Sequence, residues 1–441
     1  MTKPTARCSY TDYKGSTTNR SFFLAGPKIA RIAIFSRSGT VNLLRPVEAA
    51  EHLNSPESPM KVTARPELIV HADWSIEPRK RWMASARRDE TGTYVAAAAE
   101  AVGNTRNLMS RVREEVSPSG CALLGFDFPI GLPGVYAAAT GISNFRTFLA
   151  EIGRPAWRDF FLVATKPEEI SLHRPFYPQR SGKMIKQEHL THALGVADID
   201  ALRRQCERRH VDRRAACPLF WTLGGQQVGK AAISGWREII VPAIQANDSG
   251  VRLWPFDGPL ESLLVEGAIV LSETYPAEFY RHLGVMFPPS RPKERTGKRV
   301  KADRAMNAST LLSWAASASV GITNDLRAEI EDGFGDSADG EDRFDAVVGL
   351  FGMINIVLGN RAEGSADDKA VVNVEGWILG QTYISSSRPE EVSSAQPVKS
   401  GAHVSELDRL RGLLLDAINA LEEAGATDEA LRIAQEIQPR Q

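Results

Sequence analysis

Several apolar runs in this chain close on a carboxylate. Leu68-Ile69-Val70-His71-Ala72 is followed by Asp73, Cys121-Ala122-Leu123-Leu124-Gly125-Phe126 by Asp127, and Gly267-Ala268-Ile269-Val270-Leu271-Ser272 by Glu273. A further apolar run, Phe344 to Leu358, opens beside Asp342 and Asp345, three residues apart and so on one face of a helix. Carboxylates brought within a few Å repel one another and raise their own pKa values unless a cation neutralises them. All-oxygen ligand sets of this kind select Mg²⁺ or Mn²⁺ rather than zinc. Taken singly, Asp342 suits the dipole at a helix N-terminus and Asp73 suits the start of a turn. The joint pattern is what points to a metal centre.

Positive charge is arranged in two clusters. Between Arg291 and Arg304, seven basic residues (among them Lys293, Arg295, Lys298 and Arg299) face only Glu294 and Asp303, a local excess of five charges suited to a polyanion. A second cluster, Arg203, Arg204, Arg208, Arg209, Arg213 and Arg214, is expected on a helix, with Trp157, Phe160, Phe161, Phe176, Tyr177, Trp221 and Trp236 in the same region. Arginines with aromatics suit the stacking of unpaired bases; a solvated basic face and a small aromatic core are the plainer alternatives.

These residues need elements to position them. Apolar runs bounded by turn residues predict strands at Leu68–Asp73, Arg81–Ala86, Thr93–Val95, Cys121–Asp127 and Gly267–Glu273. Helical spacing predicts helices over Ala96–Glu115, Ala302–Ala318 and Phe344–Leu358. The order is a meander of three strands, a helix, a strand, an insertion over about residues 145–255, a strand and closing helices. That order predicts an α/β fold of ribonuclease H-like type, a mixed sheet flanked by helices. In open α/β sheets ligands gather at the carboxyl ends of the strands, where these acids stand. Asp345, Gly349, Gly352 and Ile356 form one helical stripe, and glycines there predict close packing of that helix on the sheet. The remaining divisions are a weakly organised extension (1–65), the core domain (66–384), a polar linker (385–403) and a helical hairpin (404–441) suited to oligomerisation or partner docking.

The segments Ala72-Asp73-Trp74-Ser75, Gly125-Phe126-Asp127-Phe128-Pro129-Ile130-Gly131-Leu132-Pro133, Ser272-Glu273-Thr274-Tyr275-Pro276-Ala277-Glu278, Lys293 to Arg299, Asp342-Arg343-Phe344-Asp345-Ala346 and Glu375-Gly376-Trp377-Ile378 are similar to those of the domain of unknown function 429 family, a group of predicted ribonuclease H-like nucleases. The resemblance spans about residues 66–382. It implies Asp73, Asp127, Glu273 and Asp345 as the acidic cluster, with Asp342 as an alternate. Asp73 and Asp127 would then bridge two metals, with Glu273 and Asp345 each completing one shell. Two-metal sites activate water and stabilise an in-line phosphoryl displacement. The expected activity is a Mg²⁺- or Mn²⁺-dependent nuclease with nucleic acid as partner.

Other chemistries are weaker. Gly224-Gly225-Gln226-Gln227-Val228-Gly229-Lys230-Ala231 approaches a phosphate-cradling loop but ends in Ala231 where a hydroxyl binds Mg²⁺. Glu188-His189 and His192 lack the zinc-protease spacing, and no Gly-x-Ser-x-Gly elbow exists. A Mg-nucleotide-binding or phosphotransfer protein and a non-catalytic scaffold are the alternatives from other classes. At 441 residues, 43% hydrophobic and 24% charged, the chain has core enough to fold, and a net charge of -1 excludes a global basic field. Four scattered cysteines predict reduced thiols. The start, MTKPTARCSYTDYKGS, lacks an apolar secretion segment, and no apolar run approaches the ~20 residues of a membrane span. A cytoplasmic protein is the expectation.

Overall fold

Three runs of this sequence are apolar at nearly every position, and a strand buries all its residues only when both faces of its sheet are covered. These are β3 (Leu68–Asp73), β7 (Ala122–Phe126) and β9 (Ile269–Glu273), every residue of which is buried. They are seen in a computed structural model that describes residues 65–182, 184–210, 213–223, 228–288 and 296–382, together with two strand segments nearer the N-terminus. Those segments, β1 (Ser21–Leu24) and β2 (Arg31–Ile34), pair antiparallel within the unit 1–62, whereas the remainder of the chain belongs to a second unit, 63–441. The 385–403 linker and the 404–441 hairpin expected from the sequence lie outside the described residues.

The second unit is built on an eight-stranded mixed sheet. Besides β3, β7 and β9 it contains β4 (Trp82–Arg88), β5 (Tyr94–Ala96), β6 (Glu100–Ala101), β8 (Val251–Leu253) and β10 (Gly321–Ile322), in the order β10-β5-β4-β3-β7-β9-β8, with β6 paired to β4. β3, β7, β9 and β8 run parallel, and β4 runs against both β3 and β5.

Strand alternation divides the core into two layers. Leu68, Val70, Leu124, Phe126, Ile269 and Leu271 face one layer, and Ile69, Leu123 and Val270 face the other. The first layer is supplied by the insertion. Its helix Val228–Gly235 continues through Trp236–Ile240 and Val241–Gln245 against the sheet, with Trp74 Nε1 donating to Ser234 Oγ (3.0 Å) and Trp236 Nε1 to Pro129 O (2.7 Å). The insertion is therefore part of the core, and its last residues form the edge strand β8. The second layer centres on the helix Gly340–Val357, buried at every position from Phe344 to Ile356.

Three expectations change. The alanine-rich stretch after β5 is helical only over Leu108–Glu114; Ala97 N donates to Ser85 O and Val102 N to Arg81 O, so its first part follows β4 as an edge. The helix expected over 302–318 is two, Lys301–Ala305 and Ala308–Ser317, broken where Asn307 Nδ2 donates to Met286 O (2.9 Å). The described arginines of the cluster near 203–214 flank or follow two short turns, Asp200–Leu202 and Gln205–Glu207, and none lies on a helix.

The glycine stripe of the long helix does pack closely. A Cβ on Gly349 would stand 2.1 Å from His71 Cε1, and one on Gly352 2.2 Å from Phe279 Cδ2. Neither neighbour is a flexible chain end, so Gly349→Ala should cost about 1–3 kcal/mol, the usual scale of overpacking. Urea unfolding checks this, and an unchanged midpoint would mean that the helix does not lie this close to β3.

Candidate functional site

The parallel register of β3 and β7 pairs Ala72 with Phe126, and Asp127 N donates to Ala72 O (3.0 Å). Asp73 and Asp127 therefore end neighbouring strands side by side. Alternation from Ile69 and Leu123 turns both towards the long helix. That helix brings Asp345, 2% exposed, to the same place, with Asp342 one turn earlier and half-buried. Asp345 is held from two sides: Tyr280 Oη donates to Oδ1 (2.9 Å) and Lys298 Nζ donates to Oδ2. Lys298 Nζ is also 3.3 Å from Glu341 Oε1.

The electrostatics follow from burial and crowding. Burial, then repulsion from Asp345 and Asp127, holds the Asp73 carboxyl well above the ordinary carboxylate range. Burial and Asp345 push Asp127 up to about 7, and burial with Glu341 and Asp345 pushes Asp342 up to about 7. Burial raises Asp345 as well, against the opposing pull of Lys298 and Tyr280. Lys298 acts on all these acids; the carboxylates, led by Asp345, overcome its own burial and keep it firmly protonated. No described residue donates a hydrogen bond to the side chain of Asp73 or Asp127, so crowding is relieved there by one ammonium alone.

Glu273 lies apart. It pairs with Phe126 in the sheet, and so points to the face opposite Asp127, towards the insertion. There Arg204 grips it in two bonds, Nη2 to Oε1 (2.5 Å) and Nη1 to Oε2 (2.7 Å), and Ile130 N donates to Oε2 (2.6 Å). Arg204 also donates to Glu207 Oε1 (2.9 Å) and Glu375 O (3.0 Å), while Glu375 receives Gly134 N and Gln205 N. The sequence placed Glu273 among the metal ligands; the geometry gives it a structural ion pair that ties the insertion to the strand end. The residue that stands beside Asp127 is Thr274, just past the end of β9, whose N donates to Phe126 O (2.9 Å) and whose buried hydroxyl has no partner among the described residues.

The other candidates sort as follows. Lys298 belongs to the acidic cluster itself, Arg299 is exposed next to it, and Lys293 and Arg295 lie outside the described residues. Phe160, Phe176, Tyr177 and Trp236 are fully buried and packed edge-to-face or stacked in the insertion, so these four form core, whereas Trp157, Phe161 and Trp221 are half-buried. Arg213 Nε (2.8 Å) and His210 Nε2 (3.0 Å) meet Glu278, a buried acid that periodicity did not single out. His189 Nδ1 bonds the Tyr177 hydroxyl (3.1 Å). Residues 224–227 of the glycine-rich segment lie outside the described residues, and Trp221 before them belongs to no strand, forming an isolated bridge to Tyr177.

Among the described residues no group of three or more His, Cys, Asp or Glu side chains stands at metal-holding spacing, and no helix is long and apolar enough to cross a membrane. The acids gathered on this face are Asp73, Asp127 and Asp345, with Asp342 beside them. Comparison with protein-family models, curated proteins and solved structures finds no match to this chain.

Two predictions follow from the charges. An acid whose pKa is raised by folding favours the folded state fully below its unfolded pKa, and that contribution is lost as pH rises through the folded value. For Asp127 the window runs from about 4, its ordinary value, up to about 7. In chelator-treated protein, the Tm of Asp127→Asn should match wild type near pH 4 and exceed it by about 3 °C or more at pH 8. Thermal melts across pH test this, and a variant that melts lower at pH 8 would remove the crowding. Glu273→Ala should instead lose about 3–5 kcal/mol by stranding Arg204, while Mn²⁺ affinity of the folded protein, measured by calorimetry, stays at the wild-type value.

Proposed function

We propose that this chain is a divalent-metal-dependent nuclease on a ribonuclease H-like core. The observation that carries the reading is the convergence of Asp73, Asp127 and Asp345, from two neighbouring parallel strands and one helix, into a buried cluster in which, among the described residues, the Lys298 ammonium is the one cation in contact with a carboxylate of the three. The strand order β5-β4-β3-β7-β9, with β4 antiparallel to its neighbours, supports the fold assignment.

The donor set suits a hard cation in chemistry: it is all oxygen, and two of its carboxylates accept no hydrogen bond from the described residues. It differs from the expected four-acid set, because Glu273 is committed to Arg204 and the ammonium of Lys298 is drawn in. Asp73, Asp127 and Asp345 would hold the metal, with Asp342 in reserve. A bound Mg²⁺ or Mn²⁺ supplies Lewis-acid polarisation of a phosphodiester and a water of lowered pKa. The protein's own residues orient and exclude. Tyr280 fixes the Asp345 carboxylate, the Glu273–Arg204 pair fixes the end of β9, and Lys298 and Arg299 offer charge to a phosphate backbone.

The test is a screen of single- and double-stranded DNA and RNA with Mn²⁺, run on wild type and Asp127→Asn. The variant should lose about 100-fold or more of any cleavage, the scale of a group acting on transition-state charge. Full metal-dependent activity in Asp127→Asn would overturn the assignment. Unchanged Mn²⁺ binding in that variant would favour a scaffold that kept the fold.

A further inference from the structure

A cleft opens at the far end of the long helix from the acids. Asp345 stands near the start of the helix Gly340–Val357, and Leu358, its C-cap, lies about 20 Å further along the axis. There Ile356, Val357 and Leu358 line the cleft together with Leu260 and Leu264, from and just after the short helix Leu260–Leu263. Its volume is about 350 Å³. A cavity of about 150 Å³ admits a benzene ring, so this one has room for about two leucine side chains. Val357 and Leu358 are half-buried, so part of the apolar wall is open to an incoming group. The charge around it is negative. Glu261 and Glu363 line the cleft against Arg65, and the carbonyl end of the long helix adds partial negative charge of its own.

The chain itself leads away from this wall. Gly380 N donates to Glu363 O (2.6 Å), and a Cβ on Gly380 would stand 2.7 Å from Ile356 Cδ1. Thr382, two residues on, is exposed and is the last described residue, so the C-terminal segment sets out from beside the cleft. Beyond the polar linker, Leu407, Leu410, Leu414, Ile418 and Leu421 recur at steps of three and four. That is the spacing by which an amphipathic helix lays its apolar face in a groove. Arg411 borders the stripe, opposite in sign to Glu261 and Glu363.

We propose that the segment 404–421 of the same chain docks in this cleft, with Leu410 and Leu414 as its anchors. The proposal is independent of the chemistry at the strand ends. A flexible linker from Thr382 to Val404 has a root-mean-square span of about 25 Å, which lets the segment return to the wall it started from. Such a tether gives an effective concentration in the millimolar range. An intrinsic dissociation constant of about 0.1 mM is then enough to fill the cleft about nine-tenths of the time. A second copy of the chain at micromolar concentration competes poorly with a segment held this close.

The test is hydrogen exchange of the full chain read by mass spectrometry, on wild type, Leu358→Glu and the double variant Leu410→Ser with Leu414→Ser. Amides of 404–421 should exchange about tenfold or more slower in wild type than in Leu358→Glu, which sets a carboxylate on the apolar wall. Peptides covering 359–365 should exchange about threefold or more faster in the double variant than in wild type. This second comparison suffices where Leu358→Glu fails to fold, because it alters no described residue. About tenfold dilution should leave both rates unchanged, as a tethered contact requires. Equal rates over 404–421 in wild type and Leu358→Glu overturn the docking, and so do rates over 359–365 that ignore the double variant. Protection that fades on dilution overturns it as well, and assigns the cleft to the segment of a second copy.

Discussion

At Gly349 the long helix carries no side chain of its own to hold it off β3, and the rest of the site depends on that contact. The ring of His71 fills the space a Cβ would need, and His71 Nδ1 donates to Ala346 O (3.0 Å). Burial lowers the His71 pKa to about 3, which keeps the ring neutral and its Nδ1 proton available for that bond. The bond fixes the helix lengthwise as well as in depth. Asp345 immediately precedes Ala346, and His71 precedes Asp73 by two positions on the same strand face, so one hydrogen bond sets the carboxylates' mutual position. Gly349 and Gly352 each cost roughly 1 kcal/mol of helix propensity relative to alanine. A helix buried at every position from Phe344 to Ile356 offsets that readily.

How much of this was legible in the sequence depends on which step needed three-dimensional pairing. Strands covered on both faces announce themselves as unbroken apolar runs, and the glycine stripe announced close packing. Asp73, Asp127 and Asp345 could be found from those signals alone. Glu273 could not be placed, because an apolar run with no alternation carries no mark of which residue faces which layer. Only the pairing of Phe126 with Glu273 settles that its side chain turns away from Asp127 and that Thr274 turns towards it. The arginines misled for a related reason. Arg204 sits in a run of exposed-looking basic residues, and its complete burial depends on Glu207 three residues on and on Glu273 and Glu375 from two distant parts of the chain. The insertion was read as an addition to the core because its strand β8 is only three residues long.

The two faces of the strand end treat buried acid in opposite ways. On the insertion face, Glu273 is matched by a guanidinium in two bonds and by the Ile130 backbone, and the arginine's other donors are themselves occupied. Such a site is closed: every charge has its partner, and taking one away strands another. On the helix face, Asp73, Asp127 and Asp345 share one ammonium, and burial has driven their pKa values upward.

That difference is what the proposed placement of chemistry on the helix face rests on. An acid cluster that is fully neutralised by its own protein gains nothing from a cation, whereas one that is not gains the whole of the unrelieved repulsion. The protein keeps the second arrangement next to the first, separated only by the thickness of one sheet. Arg204 ties the end of β9 to the insertion from behind, while the acids in front remain crowded. The choice of cation completes the contrast. Arginine, with its planar fork, is fixed by several bonds on the insertion side, and lysine, a compact charge on a flexible stem, is held chiefly through Asp345 on the helix side.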